Sequence, residues 1–436
     1  MYALAPTWLF ASGSRTYSSF VPTLNKMRSA RAGALRFRGR ATDGASSDPA
    51  LRRLRTALTV FFALDGFIFA GWVVRIPAIK AQTGASPSAL GLALLGVSAG
   101  GVITMMLTGR LCRRFGNHPV TVLCGVLLSL SIALPPLTHS ALALGLVLLV
   151  FGAAYGGINV AMNAAAVDLV AALRRPVMPA FHAAFSLGGM LGAGLGGILA
   201  GPLSPTRHLL LLTALGLVLT LLAGPTLLRS PAPAPPDAAP AGAAPAPGMT
   251  GRARWLVLLL GLIALCTAYG EGALADWSAL HLTEDLGAGP SVAAAGYSVF
   301  ALAMTVGRLT GTALLERLGQ NRALVAGGAT AAVGMLLGAL GPTVWLVLTG
   351  FVVTGLGLAN IFPVAIGHAG AVAGPSGVAA ASTLGYGGML LGPVAIGFLA
   401  EWFSLTAALT TVAALAALAA AVAFAARHAL AREETA

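Results

Sequence analysis

The chain has 436 residues, of which 57% are hydrophobic and only 9% charged. Soluble domains carry about a quarter charged residues, so a chain this long with so little charge cannot cover a water-facing surface. That excludes most soluble enzymes and a disordered chain, and the 56 glycines, lacking an every-third-residue period, exclude collagen. An integral membrane protein with helices apolar all round fits. The formal net charge of +13 does not point to nucleic acid, because ten basic residues precede residue 56 and most of the rest lie in short turns between apolar runs. Membrane orientation accounts for that pattern. Cys112, Cys124 and Cys266 are scattered without a CxxC, and read as small buried hydrophobes rather than disulfide or metal partners.

Residues 1–55 read as a disordered basic cytoplasmic arm, with Met27 as an alternative start. From residue 56 the chain falls into apolar blocks of about 20 residues, the length that crosses a ~30 Å hydrocarbon core. The first six are 56–76, 88–108, 119–138, 141–166, 180–201 and 208–228. A Pro/Ala-rich stretch, 229–253, interrupts them and reads as an extended cytoplasmic linker. Six more follow at 254–277, 291–314, 322–341, 343–367, 378–400 and 404–427, with a cytoplasmic tail at 428–436. With the N-terminus inside, 22 basic residues fall on the cytoplasmic side and three (Arg75, Lys80, Arg207) on the outer side, leaving Arg308 within a span. Both termini are then cytoplasmic and the protein is a multi-pass component of the plasma (inner) membrane.

The two halves repeat one another. Gly109–Gly116 after the second block matches Gly311–Gly319 after the eighth, with Arg114 and Gly116 answering Arg317 and Gly319. Asp65-Gly66 followed by Trp72 matches Glu271-Gly272 followed by Trp277, Asn159 matches Asn360, and Gly188-Gly189-Met190-Leu191 matches Gly387-Gly388-Met389-Leu390. These matches run in the same order at similar offsets. The pattern predicts an all-α membrane protein, twelve transmembrane helices in two pseudo-symmetric six-helix bundles, with a solute site between them near the midplane.

On those residues the chain resembles the major facilitator superfamily, whose short cytoplasmic turn reads G-x-x-x-D-R-x-G-R-R. Here Arg113 stands in place of the acid and Asn117-His118 in place of the trailing basic pair, whereas the second copy keeps Glu316-Arg317. The resemblance implies gating roles for Gly109, Arg113, Arg114, Gly116, Glu316, Arg317 and Gly319. Within the superfamily the chain looks most like the fucose-permease branch, and closest to the YbjJ-like inner-membrane proteins. Ala63-Leu64-Asp65-Gly66, Asn159–Ala164, Phe181–Ser186, Glu271–Ser278 and Asn360–Pro363 carry that likeness. In that branch acids in the first and fourth spans support proton coupling; here the first is Asp65 and the second is replaced by Asn159.

A carboxyl near mid-membrane costs about 2.5–3.5 kcal/mol to insert and can take up and release a proton as a cavity alternates. Asp65 and Glu271 are therefore the proton-coupling candidates, with packing roles as the alternative. Asn159 and Asn163, one turn apart on one face, and Asn360 are candidate solute contacts or helix locks. Arg308 needs an acid, carbonyls or an anionic solute as partner. His182 and Tyr386 are further cavity candidates. Phe362-Pro363 marks a bend. Trp72, Trp277, Trp402 and Tyr297 near span ends read as interface anchors. Gly388-x-x-x-Gly392-Pro393 partly resembles an antiporter signature.

No nucleotide loop, HExxH, GxSxG or metal-ligand cluster occurs, so neither an enzyme nor a cofactor or metal is expected. The expected function is secondary active transport of a small sugar- or polyol-like solute by alternating access, coupled to protons. The expected partners are the solute, protons and the lipid bilayer, without nucleic acid, and the expected form is a monomer. Alternatives are a proton-driven exporter of drugs or metabolites and a non-transporting membrane receptor or assembly partner.

Overall fold

The computed structural model describes residues 48–173, 177–230 and 251–434. The chain divides into two units, Met1–Arg52 and Arg53–Ala436. Of the first, only residues 48–52 are described, a helix start at which Asp48 Oδ1 accepts from the Ala50 amide at 2.8 Å. Most of the expected basic arm, most of the linker (231–250), and Arg174 and Arg175 lie outside the described residues.

Among the described residues there is no strand, and twelve segments are long and apolar enough to cross a membrane. The first bundle holds α1 (Pro49–Val73), a short α2 (Ile76–Thr83), α3 (Pro87–Phe115), α4 (Asn117–Ser131), α5 (Ala141–Leu173), α6 (Met178–Ala200) and α7 (Pro205–Arg229). The second holds α8 (Gly251–Leu280), a π turn (His281–Asp285), α9 (Pro290–Leu318), α10 (Gln320–Leu340), α11 (Val344–Leu358), α12 (Ile361–Trp402) and α13 (Leu405–Glu434). Helix starts follow local chemistry. Ser86 and Ser204 accept from the backbone amides of Ala89 and Arg207, each ahead of a proline in the first helical turn.

The tenth span is broken in two, and its second part runs on into the eleventh within α12. The break falls at Ala359-Asn360, between α11 and α12, one turn before the bend expected at Phe362-Pro363. The reason is the proline. Pro363 has no N–H, so the Ala359 carbonyl four residues earlier loses its helical donor. Farther on, α12 doubles back between Ala369 and Gly377, since a Cβ on Gly377 would overlap the Ala369 carbonyl. Phe362 and Tyr386 then meet with ring centroids 6.3 Å apart. In a straight helix those rings would be about 36 Å apart.

The duplication is visible in the backbone. Gly116 and Gly319 end α3 and α9 with φ of +89° and +76°, a region closed to most side chains. Small residues let equivalent helices meet in both bundles. A Cβ on Gly188 would overlap the Ala63 carbonyl of α1, and one on Gly388 the Leu265 carbonyl of α8.

Candidate functional site

Midway along α1, Asp65 is fully buried and forms no ion pair among the described residues. The side chain of Asn159 on α5 lies beside it. Asn163, one turn on, donates Nδ2 to the Asn159 carbonyl at 2.7 Å and faces its Oδ1 at 3.4 Å. The two amides therefore form one ladder on α5, half-buried and turned toward the acid. Tyr155, a turn earlier on the same helix, lies within electrostatic reach of Asp65 and of Tyr297 and Tyr386 in the other bundle.

The repeat-related acid is handled differently. Glu271 on α8 accepts from Arg308 on α9, with both carboxylate oxygens 3.2 Å from one guanidinium nitrogen. Arg308 Nε donates to the Ala359 carbonyl at 3.3 Å, the acceptor that Pro363 leaves without a helical partner. Asn360 in turn donates Nδ2 to the Gly307 carbonyl at 2.9 Å, with its Oδ1 pressed against Gly311. A side chain at Gly311 would displace that amide. The proline, the helix break, the amide and the arginine thus form one local arrangement. The arginine is 43% exposed and the glutamate 22%, so the pair borders open space.

Tyr297 lies within electrostatic reach of Glu271, Arg308 and Asp276, and His182 within reach of Arg308. His182 is exposed and sits edge-on to Phe62 at 5.7 Å, and Tyr386 is half exposed. The structure therefore gathers Asp65, Asn159, Asn163, Glu271, Arg308, Asn360, His182 and Tyr386 around the middle of the two bundles. It adds Tyr155 and Tyr297. Tyr297, by its place near a span end an interface anchor, faces the polar groups instead. Trp72 and Trp277, also expected as anchors, are each 1% exposed and turn into the protein; Trp72 packs near Phe151. Trp402 is exposed.

One end of this central region is shut. Ala70, Val74, Ala193, Ala200 and Ala294 form a buried cluster with Tyr297 packed against it, joining α1 and α6 to α9. Beside it α3 and α12 meet almost backbone to backbone. A Cβ on Gly91 would stand 2.5 Å from the Pro393 carbonyl oxygen, and one on Gly397 2.6 Å from that of Pro87. Outside these seams Lys80 Nζ is 2.5 Å from Glu284 Oε1. Glu401 at the end of α12 accepts from the Ser86 hydroxyl at 2.9 Å and the Ser88 amide at 3.0 Å, on the N-terminus of α3. These links between bundles lie on the face away from the ends of α7 and α13.

The duplicated turns lie at the other face. Gly109 is half-buried, and Arg113, Arg114, Glu316 and Arg317 are exposed. In the first copy Asn117 donates to Asp168 of α5 at 2.7 Å, and His118 meets the Ser230 carbonyl at 3.3 Å. An amide and an imidazole, standing where the signature has a basic pair, therefore tie that turn to its neighbours. In the second copy neither Glu316 nor Arg317 forms an ion pair among the described residues.

The profile of the Major Facilitator Superfamily matches residues 56–280 and 260–435. The chain belongs to the major facilitator superfamily. It is a multi-pass membrane transporter of that type, not an enzyme. An uncharacterised transporter of this superfamily from Yersinia pestis is 36% identical, the match covering 83% of this chain and 92% of that one. An uncharacterised transporter of Sinorhizobium fredii is 35% identical over 80% and 93%. The membrane protein MosC of Rhizobium meliloti is 28% identical over 84% and 88%. Among solved structures, a bacterial homologue of the human lysosomal transporter Spinster, inward-facing and unoccupied, superposes with a TM-score of 0.72 at 16% identity, covering 89% of this chain and 99% of that one. The nucleoside transporter NupG superposes with 0.65 at 17% identity, covering 85% and 98%. At these identities the two structures speak for the fold.

Proposed function

We propose that this chain is a secondary active transporter that moves a small polar, sugar- or polyol-like solute by alternating access, coupled to protons through Asp65. The observation that carries this reading is the contrast between two repeat-related acids. Glu271 has Arg308 as a cation, whereas Asp65 is buried with the Asn159 amide beside it and no cation among the described residues. A buried carboxyl with no cation beside it is poised to hold a proton, and it can ionise when water or a donor reaches it. Glu271 enters the cycle through Arg308, which a solute hydroxyl or anion can engage from the open side. Asn159, Asn163 and Asn360 supply amide donors and acceptors, and His182 and Tyr386 border the cavity.

The gating turns are Gly109–Gly116 and Glu316–Gly319, within a fucose-permease-like, YbjJ-like branch of the superfamily. The charge bias of the chain favours cytoplasmic termini in the plasma (inner) membrane. The face sealed by Lys80–Glu284 and Glu401 is then the outer one, and an inward-facing state is the reading that fits this seal. The two six-helix bundles, joined by the linker at 229–253, are the bodies that rock around the site.

The test is reconstitution into liposomes containing a pH-sensitive dye, with a panel of sugars and polyols added under an imposed proton gradient. A solute that moves protons with wild-type protein and not with Asp65→Asn supports the reading. Unchanged gradient-driven transport in Asp65→Asn overturns it.

A further inference from the structure

Beyond the end of α8 the chain makes a single π turn, a form often found where a helix is adapted to a task. Its first residue, His281, has a side chain only 1% exposed. The ring Nδ1 is 2.7 Å from Asp285 Oδ2, and Nε2 is 3.1 Å from the Gly338 carbonyl. Both neighbours are acceptors. A neutral imidazole carries one N–H and satisfies one of them; the imidazolium donates to both. Asp285 Oδ2 also accepts from Thr406 Oγ1 at 2.9 Å. The turn is therefore tied to the end of α10 through Gly338 and to the start of α13 through Thr406.

The same five residues include Glu284, which reaches across to Lys80 in the other bundle. A cavity of about 510 Å³ on this face is lined by His281, Asp285, Thr406 and residues 339–344, giving water a route to the ring.

We propose that His281 is a second proton-binding site, outside the central cavity, whose occupancy holds the Lys80–Glu284 link between the bundles. The charged groups facing it are Asp285 and Glu284 on its own turn, with Lys80 beyond. Gly338 of α10 offers a carbonyl, α11 the Phe351 ring at 6.4 Å, and α13 the Thr406 hydroxyl; residues 339–344 carry no titratable side chain. Protonated, the imidazolium donates to both acceptors and the turn keeps Glu284 aimed at Lys80. As pH rises the proton leaves, one acceptor loses its donor, and the turn loosens. Acid on this face therefore keeps the empty transporter shut toward it, and alkali releases it. The inference rests on the alternating-access reading but not on the solute or on Asp65.

The experiment measures the gate directly. Cys112, Cys124 and Cys266 are replaced by alanine, and nitroxides are placed at Ala81→Cys and Gly289→Cys, both exposed and on opposite bundles. Electron-resonance distance distributions in liposomes are compared at about pH 5 and about pH 8. The short-distance population should dominate in acid, and its ratio to the long one should fall roughly tenfold in alkali, the scale of one charge-assisted hydrogen bond. His281→Gln, and separately Asp285→Asn, should give the alkaline distribution at both values. Glu284→Gln should open the gate at both. A wild-type distribution indifferent to pH, or a His281→Gln protein that keeps the full pH response, overturns the assignment. Opening in Glu284→Gln without pH dependence in the wild type sinks His281 alone. No opening in any variant sinks the alternating-access reading itself.

Discussion

At the scale of single residues, the division of labour between Asp65 and Glu271 comes from one neighbour. The position in the first bundle that answers Arg308 by the repeat offset is Met105, so Asp65 has no cation to hold it ionised. Arg308→Gln should leave Glu271 without its cation, lowering transport while the protein still folds. A double-mutant cycle with Glu271→Gln, read by thermal unfolding in detergent, should show a coupling of only about 0.5–1 kcal/mol, since water reaches the pair. Arg75 is the opposite case. It is 2% exposed and has neutral partners only: His208 Nδ1 at 2.8 Å and the Ala200 and Leu199 carbonyls at 3.1 and 3.0 Å. Burial without a carboxylate pulls its pKa below the ordinary guanidinium value. Arg75→Ala should cost about 2–3 kcal/mol, because three acceptors are left dry, and the loss should appear as a lower unfolding temperature.

The acids, amides and Arg308 could be read from the sequence because polar groups stand out within apolar blocks. The tyrosines and tryptophans could not, since an aromatic near a span end has the same spacing whether it faces lipid or protein. Lys80, Glu284 and Glu401 were equally hidden; charges in short loops are ordinary until a partner is seen across the gap.

At the scale of elements, the number of spans and the bend in the tenth followed from apolar length and from Pro363. The start of the first helix did not. The first helix starts at Pro49 rather than residue 56 because Asp48 caps it, and three arginines extend it beyond the apolar run. The contact of α3 with α12 is the element whose disturbance should be most telling. Gly91→Val would overlap the Pro393 carbonyl and prevent that seam from closing. Ala294→Cys, 1% exposed in the sealed cluster, should resist a membrane-impermeant maleimide applied from the Lys80 face. It should react at least about tenfold faster in the Gly91→Val background, in keeping with a population shift toward the open arrangement.

At the scale of the whole molecule, the duplication was legible because the paired motifs keep their order and spacing, and the backbone repeats them at Gly116 and Gly319. Orientation rests on charge alone. Alkaline phosphatase fused after residue 436 should be inactive and a fluorescent protein there should fluoresce, as expected for a cytoplasmic end; the reverse pattern would invert the assignment of faces. The links on the two faces are unequal. Asp168 braces the turn of the first bundle, and among the described residues Glu316 and Arg317 form no ion pair that would brace the second.

The closed seam is built mostly from small residues, Gly91, Gly397, Ala70, Ala193, Ala200 and Ala294, with Val74 among them and Tyr297 packed against it. A stopper with so few long side chains has little to open by rotamer flicker. It gives way when whole helices tilt apart, so the seam parts as a unit rather than one side chain at a time.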